Sequence, residues 1–149
     1  MGPIMFKCFL LFMICLLQLG RTETFSQSTD RGNLAHTLAI IDRGTSVRPK
    51  DKIVQRYSAV LSRLSSKFWT STQNIADQSA RTKELLESDA GVYEKVLNIM
   101  EGVDEFTPRS VGKTTYAECV AAYMTLRQKG YSHREAVEGL SEIFHTLSN

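Results

Sequence analysis

Residues 49–69 read PKDKIVQRYSAVLSRLSSKFW, and this stretch has the most regular pattern of apolar side chains in the chain. Its apolar members recur every three or four residues, which is the repeat of an α-helix with one buried face. They are Ile53, Tyr57, Val60, Leu61, Leu64 and Phe68. Pro49 suits the first turn of a helix, because its missing N–H would be unpaired there in any case. We therefore predict a long amphipathic helix that begins at Pro49.

A shorter helix is predicted before it. Leu34, Leu38 and Ile41 have helical spacing, and Asn33 and Gly44 are suited to its start and its end. Residues 27–33 are polar, so we expect them to form a flexible N-terminus of the mature chain.

Two helices are predicted downstream of Trp69. The hydroxyl groups of residues 70–72 can cap the first of them, which has a thin apolar face. Ser88 or Asp89 is expected to begin the second. Residues 106–112 include Pro108 and are predicted to form a long loop after it.

The last two helices have clear start signals. Thr115 with Glu118, and Ser132 with Glu135, have the spacing of capping boxes, in which hydroxyl and carboxylate each satisfy a free N–H. Gly130 between them supplies a left-handed stop. The apolar face of the first of these helices comprises Tyr116, Cys119, Val120, Tyr123 and Leu126 or Arg127.

No segment after residue 27 shows the two-residue alternation of a half-buried strand. We therefore predict an all-α protein, a small bundle of five to six short amphipathic helices that follows an N-terminal signal peptide. A chain of this length is expected to form one domain, here residues 34–149.

The signal peptide is predicted from the apolar run Cys8–Leu19, which follows Lys7. Small residues place the cleavage after Thr22 or after Ser26, so residues 1–26 are expected to be removed and the protein to be secreted or periplasmic. The alternative is an uncleaved membrane anchor. A spanning helix needs roughly 20 apolar residues, and this run has twelve, so we favour removal and expect no stable membrane insertion of the mature chain.

Cysteine and charge exclude some classes of protein. Cys119 is the one thiol after the leader, so a disulfide-stapled scaffold is excluded. From Gln27 onward, 16 Lys and Arg stand against 15 Asp and Glu. Residues 27–67 carry +5 and residues 68–149 carry −4, which we interpret as two solvated faces that attract each other within one fold. The acidic residues expected on the solvent side are Glu84, Glu87, Asp89, Glu94, Glu101, Asp104 and Glu105.

The segment Arg127–Val137 resembles the turn of a DNA-binding helix-turn-helix, with Gly130 at the turn and Ser132 as the cap of the second helix. A recognition helix needs basic or amide side chains toward DNA. This one carries three carboxylates, at Glu135, Glu138 and Glu142. We therefore predict a plain helical hairpin and no nucleic-acid partner.

Residues 112–115 resemble the end of a phosphate-binding P-loop. The motif requires a glycine five residues before Gly112, where this chain has Thr107, and a strand that leads into it. We therefore predict no nucleotide binding.

Glu142 and His145 lie one helical turn apart, which is half of the ligand motif found in di-iron bundles. Only one copy is present, so they are weak metal-ligand candidates and no cofactor is predicted. Cys119 lies on an apolar stripe, where a free cysteine behaves as a small buried hydrophobe. No catalytic residue is predicted.

Phe68 and Trp69 are adjacent aromatics at a helix end, and we predict that they bind a partner or cap the core. The favoured function is a non-catalytic protein-interaction module with an unidentified protein partner. The first alternative is a metal-binding or enzymatic bundle that uses Cys119, His133, His145 and acidic residues. The second is a membrane-anchored regulatory protein with the helix-turn-helix-like hairpin.

Overall fold

The fold consists of helices, as the apolar spacing predicted. A computed structural model describes residues 27–108 and 114–147, with side chains at 31–108 and 114–146. Six helices and no strand occur in these residues, which confirms the all-α class. The helices are α1 Gln27–Arg43, α2 Lys52–Phe68, α3 Thr72–Ala90, α4 Val96–Phe106, α5 Tyr116–Gln128 and α6 His133–Leu147. None of them is long and apolar enough to cross a membrane. The predicted signal peptide and its cleavage sites lie outside the described residues.

The first two helices begin at other residues than the pattern predicted. α1 begins at Gln27, six residues before the expected cap Asn33. The Arg31 guanidinium supports this early start, because its Nη1 donates to Ser62 Oγ on α2 at 3.4 Å. The motion expected of residues 27–33 stays a prediction.

α2 begins at Lys52 rather than at Pro49, so the predicted start is three residues too early. Asp51 N donates to Arg48 O at 2.9 Å, which closes a turn that has Pro49 at its second position. Pro49 therefore shapes the turn before the helix and is not part of its first turn.

The predicted helix start at Ser88 or Asp89 is wrong, because α3 continues through both residues to Ala90. Gly91 then adopts a left-handed conformation with φ of 63°, and Val92 N donates to Leu86 O at 2.9 Å. This arrangement satisfies carbonyl groups at the helix end. The next helix, α4, begins only at Val96.

The core forms around α2, which contacts α1, α3 and α4. Helix α4 also packs against α6, and α5 packs against α3 and α6. The predicted face of α2 is buried at Tyr57, Val60, Leu61 and Leu64. Three buried tyrosines and Phe106 are among the largest side chains in this core.

Ion pairs show that α2 and α4 run in the same direction. Arg56 Nη2 lies 2.8 Å from Glu101 Oε2, and farther along Lys67 Nζ lies 2.9 Å from Asp104 Oδ1. Arg63 Nε also contacts Asp104, at 2.6 Å. The basic first half of the chain therefore faces acidic side chains of the second half, as the charge distribution suggested.

Candidate functional site

Trp69 is the most exposed large hydrophobic residue in the described part of the chain, at 94%. It follows the last residue of α2 and has φ of 51° and ψ of 39°. No other described non-glycine residue has a positive φ. An L-residue in this conformation costs roughly 1–2 kcal/mol. The chain therefore ends α2 with a strained residue whose indole faces solvent.

Phe68 has a different environment. Its ring packs edge-to-face on the Tyr116 ring, with the centroids 5.3 Å apart, and Phe68 is half-buried. Tyr116 is buried, and its hydroxyl lies 2.7 Å from Ser79 Oγ. Burial raises the pKa of Tyr116. The predicted aromatic pair is therefore divided, with Phe68 against the core and Trp69 outside it.

A depression of about 400 Å³ lies beside Trp69, between the end of α2 and the starts of α3 and α5. The described side chains that line it carry no charge. They are Phe68, Trp69, Thr70, Asn74, Gln78, Thr115, Tyr116 and Ala117. Gln78 Nε2 donates to Asn74 Oδ1 at 2.8 Å, and Asn74 Nδ2 donates to Thr70 Oγ1 at 2.9 Å. This neutral rim beside an exposed indole, which we call the Trp69 site, suits an uncharged protein surface better than phosphate or a metal ion.

A buried polar network forms where α4, α5 and α6 meet. Glu94 is 5% exposed, so its expected place on the solvent side is wrong. Arg127 Nη2 lies 2.9 Å from Glu94 Oε2, and Tyr123 donates to the same oxygen at 3.0 Å. Asn98 Nδ2 donates to Glu94 Oε1 at 2.8 Å. Their hydrogen bonds replace those that water would make to the carboxylate, so Glu94 can be buried.

The Tyr123 hydroxyl joins His133 to this network. His133 Nδ1 lies 2.7 Å from the hydroxyl oxygen that contacts Glu94. Burial and the charge of Glu94 raise the pKa of Tyr123. This chain of bonds connects the start of α6 to α5 and to Glu94 in the segment before α4.

Sequence reasoning missed this network as a unit. The one signal was Arg127, a cation that had fallen on the apolar face of its predicted helix. Its partner Glu94 lies on another segment and has no fixed spacing from it, and the same holds for His133, which joins the network through Tyr123. Gly102 permits α4 and His133 to approach closely, since a Cβ at Gly102 would lie 3.1 Å from His133 Cε1.

An open cleft of about 810 Å³ lies between α2, the end of α4 and α6, and includes His145. Lys67 Nζ donates to Asp104 O at 2.7 Å and to Thr107 O at 3.1 Å, so it caps the carbonyl end of α4. Burial raises the pKa of Asp104, but hydrogen bonds from Arg63 and Lys67 outweigh it and hold that pKa below its usual value. The cations of the cleft are therefore engaged in holding α4 against α2.

The weak metal candidates do not form a ligand set. His145 lines the cleft, Glu142 is exposed and does not line it, and His133 is bound to Tyr123. Within the described ranges, no group of three or more His, Cys, Asp and Glu side chains is placed to hold a metal ion. Cys119 is buried, and burial raises its pKa to about 12, so its thiol is protonated at neutral pH.

The capping residues act locally. Thr115 N donates to Glu118 Oε2 at 2.7 Å, and Glu118 N donates to Thr115 Oγ1 at 3.3 Å. Ser132 and Glu135 make the same pair of bonds at the start of α6. Gly130 has φ of 92° in the turn between these helices. Hydrogen bonds from the cap residues hold the pKa of Glu118 and of Glu135 below the usual value.

No protein-family model, curated protein or solved structure matches this chain. Of the surfaces described, the Trp69 site combines an exposed aromatic side chain, an adjacent depression and a neutral rim.

Proposed function

We propose that this chain is an exported, non-catalytic protein-interaction module, and that Trp69 is the anchor with which it binds a protein partner. The observation that carries the proposal is the 94% exposure of the indole on a left-handed backbone. Tryptophan is enriched among the residues that dominate binding energy in protein interfaces. An indole in water adds no stability to the fold, so binding to another molecule explains why Trp69 is exposed.

The surroundings of Trp69 support a protein partner. The neutral lining of the depression offers amide and hydroxyl groups from Asn74, Gln78 and Thr70, which match peptide groups and uncharged side chains. Phe68 and Tyr116 hold the base of the site in the core, so Trp69 is presented on a rigid support. A rigid support lowers the entropy lost on binding.

Binding is tested with the mature protein immobilised and incubated with an extract of its source cells and their medium. We expect a retained protein that is lost when Trp69→Gly is used instead. Tyr131→Ala is the matched control, because it removes another exposed aromatic side chain, which is 48% exposed. Equal retention by Trp69→Gly and the wild-type protein contradicts the proposal.

The chain has a single tryptophan, so its fluorescence reports on Trp69 alone. The free protein should emit as an indole in water does. Addition of the recovered partner should shift this emission to shorter wavelength, because the interface removes water from the ring. An unchanged spectrum in the complex would place the interface elsewhere.

We also propose how the chain is exported and organised. Residues 1–26 act as a signal peptide cleaved after Thr22 or Ser26, and residues 34–149 form one helical bundle that is secreted or periplasmic. The short apolar run after Lys7 supports this assignment. N-terminal sequencing of exported protein should begin at Glu23 or Gln27, and a retained Met1 contradicts cleavage.

A further inference from the structure

Three connections between helices meet at the end of the molecule away from Trp69. Asp42, at the end of α1, accepts a hydrogen bond from Val96 N at the start of α4, at 2.8 Å. Glu94, just before α4, pairs with Arg127 at the end of α5. The α1–α2 and α3–α4 connections and the α5–α6 turn are therefore neighbours. We call residues 40–52, 93–95 and 129–131 the basic end.

The basic end carries six exposed cationic side chains for which the described residues supply no ion pair. They are Arg43, Arg48, Lys50, Lys52, Lys95 and Lys129. Two of its three acidic residues, Asp42 and Glu94, are buried and occupied by internal donors. The third, Asp51, is half-buried and accepts a bond from Arg48 N. The outward surface is therefore strongly positive, although Asp89 and Glu135 border it and the mature chain as a whole is nearly neutral.

Apolar side chains are exposed among these cations. Ile40 is 37% exposed, Ile41 45%, Tyr93 66% and Tyr131 48%. These are four of the six large hydrophobic residues exposed in the described part of the chain. Aliphatic groups and tyrosine rings beside Lys and Arg are the composition of surfaces that lie in the headgroup region of a bilayer.

We propose that the basic end binds the surface of an anionic lipid bilayer, with its cations on the lipid phosphates and Ile40 and Ile41 among the headgroups. Each Lys or Arg near such a surface strengthens binding about fivefold. A nucleic acid also attracts the cations, but its phosphates make no favourable apolar contact with Ile40 and Ile41. The surface lies at the opposite end of α2 from Trp69, so this binding is independent of the proposed protein partner.

The test measures partition of the mature protein onto vesicles at near-physiological salt. Vesicles of mixed phosphatidylglycerol and phosphatidylcholine should bind it, and vesicles of phosphatidylcholine alone should not. Lys50→Gln with Lys52→Gln should lower binding roughly 30-fold. Lys52→Gln alone should lower binding about fivefold. Its matched control, Arg81→Gln, removes one exposed cation from α3 outside the basic end and should change binding little.

A further variant separates the lipid from other polyanions. Ile41→Ser should lower vesicle binding about 10-fold, because an exposed isoleucine loses its apolar contact with lipid. Circular dichroism should show unchanged helix content in every variant. No binding to the anionic vesicles, or equal losses in Lys52→Gln and Arg81→Gln, would overturn the proposal. Binding of duplex DNA that is as tight as vesicle binding and unaffected by Ile41→Ser would also overturn it.

Discussion

Trp69 and Glu94 each occupy a position that their residue type ordinarily avoids. Trp69 has a left-handed backbone and an exposed ring, whereas Glu94 is a buried carboxylate. The burial of Glu94 is explained by its surroundings, because Arg127, Tyr123 and Asn98 all contact its carboxylate. Nothing in the described part of the chain explains the exposed, left-handed Trp69, which is why Trp69 is the stronger candidate for function.

Replacement of Trp69 should separate stability from binding. Glycine adopts the left-handed conformation without the Cβ clash, so Trp69→Gly should be more stable than Trp69→Ala by roughly 1 kcal/mol. Both variants should fail to bind the proposed protein partner. Urea unfolding followed by circular dichroism measures the difference, and equal stability of the two variants would show that the backbone at residue 69 relaxes in solution.

Glu94→Gln should destabilise the fold strongly. Glutamine offers one carbonyl where four donors now surround a carboxylate, and the Arg127 charge stays buried without its partner. Loss of one partner of a buried ion pair costs about 3–5 kcal/mol. The control Glu84→Gln, at an exposed position on α3, should lie within about 0.5 kcal/mol of the wild-type protein. Similar urea midpoints for the two variants would contradict a structural role for the network.

At the scale of helices, α4 is held at both ends by contacts with other helices. The residue before α4, Lys95, makes no side-chain cap. Instead Asp42 on α1 accepts from Val96 N and Leu97 N, at 2.8 and 3.1 Å. The far end of α4 is held by Lys67 on α2. Both ends of this eleven-residue helix therefore depend on other helices, so α4 should form only with the rest of the fold.

The contact between α2 and α4 should make stability depend on pH. The pKa of Asp104 is lowered in the folded state, so in acid the unfolded state takes up this proton first and folding becomes less favourable. The stabilisation is complete above the usual pKa of an aspartate and is lost as the pH falls through the folded value. As the pH falls below about 5, Asp104→Asn should lose less stability than the wild-type protein. Glu105→Gln, which changes an exposed neighbour, should retain the wild-type slope, and parallel curves for Asp104→Asn would exclude this linkage.

For the molecule as a whole, apolar spacing predicted the fold class and the order of the helices. It did not predict which residues of different helices contact each other. The stripe of α2 could be read from residues 53–68 because each position depends on its near neighbours. The burial of Glu94 depends on Arg127 and Tyr123, which lie about thirty residues away, and no local pattern contains that information. The same limit explains why Phe68 and Trp69 looked alike in the sequence, although a contact with Tyr116 separates them.

Cys119 provides a measure of global stability. It is fully buried, and burial raises its pKa to about 12, so a thiol reagent should not label Cys119 in the folded protein at neutral pH. Labelling should require opening of the core and should accelerate with urea in proportion to the unfolded population. Rapid labelling without denaturant would show that the contact of α5 with α3 opens separately from the rest.

The length of α2 has a consequence for geometry at a membrane. Its seventeen residues span about 25 Å at a rise of about 1.5 Å each, and they separate the basic end from Trp69. Electrostatic fields decay over about 8 Å at physiological ionic strength. A molecule seated on anionic lipid by its basic end would hold the indole about three such lengths above the headgroups. A partner would therefore meet Trp69 in bulk electrolyte, and its own charge would not decide whether it can approach.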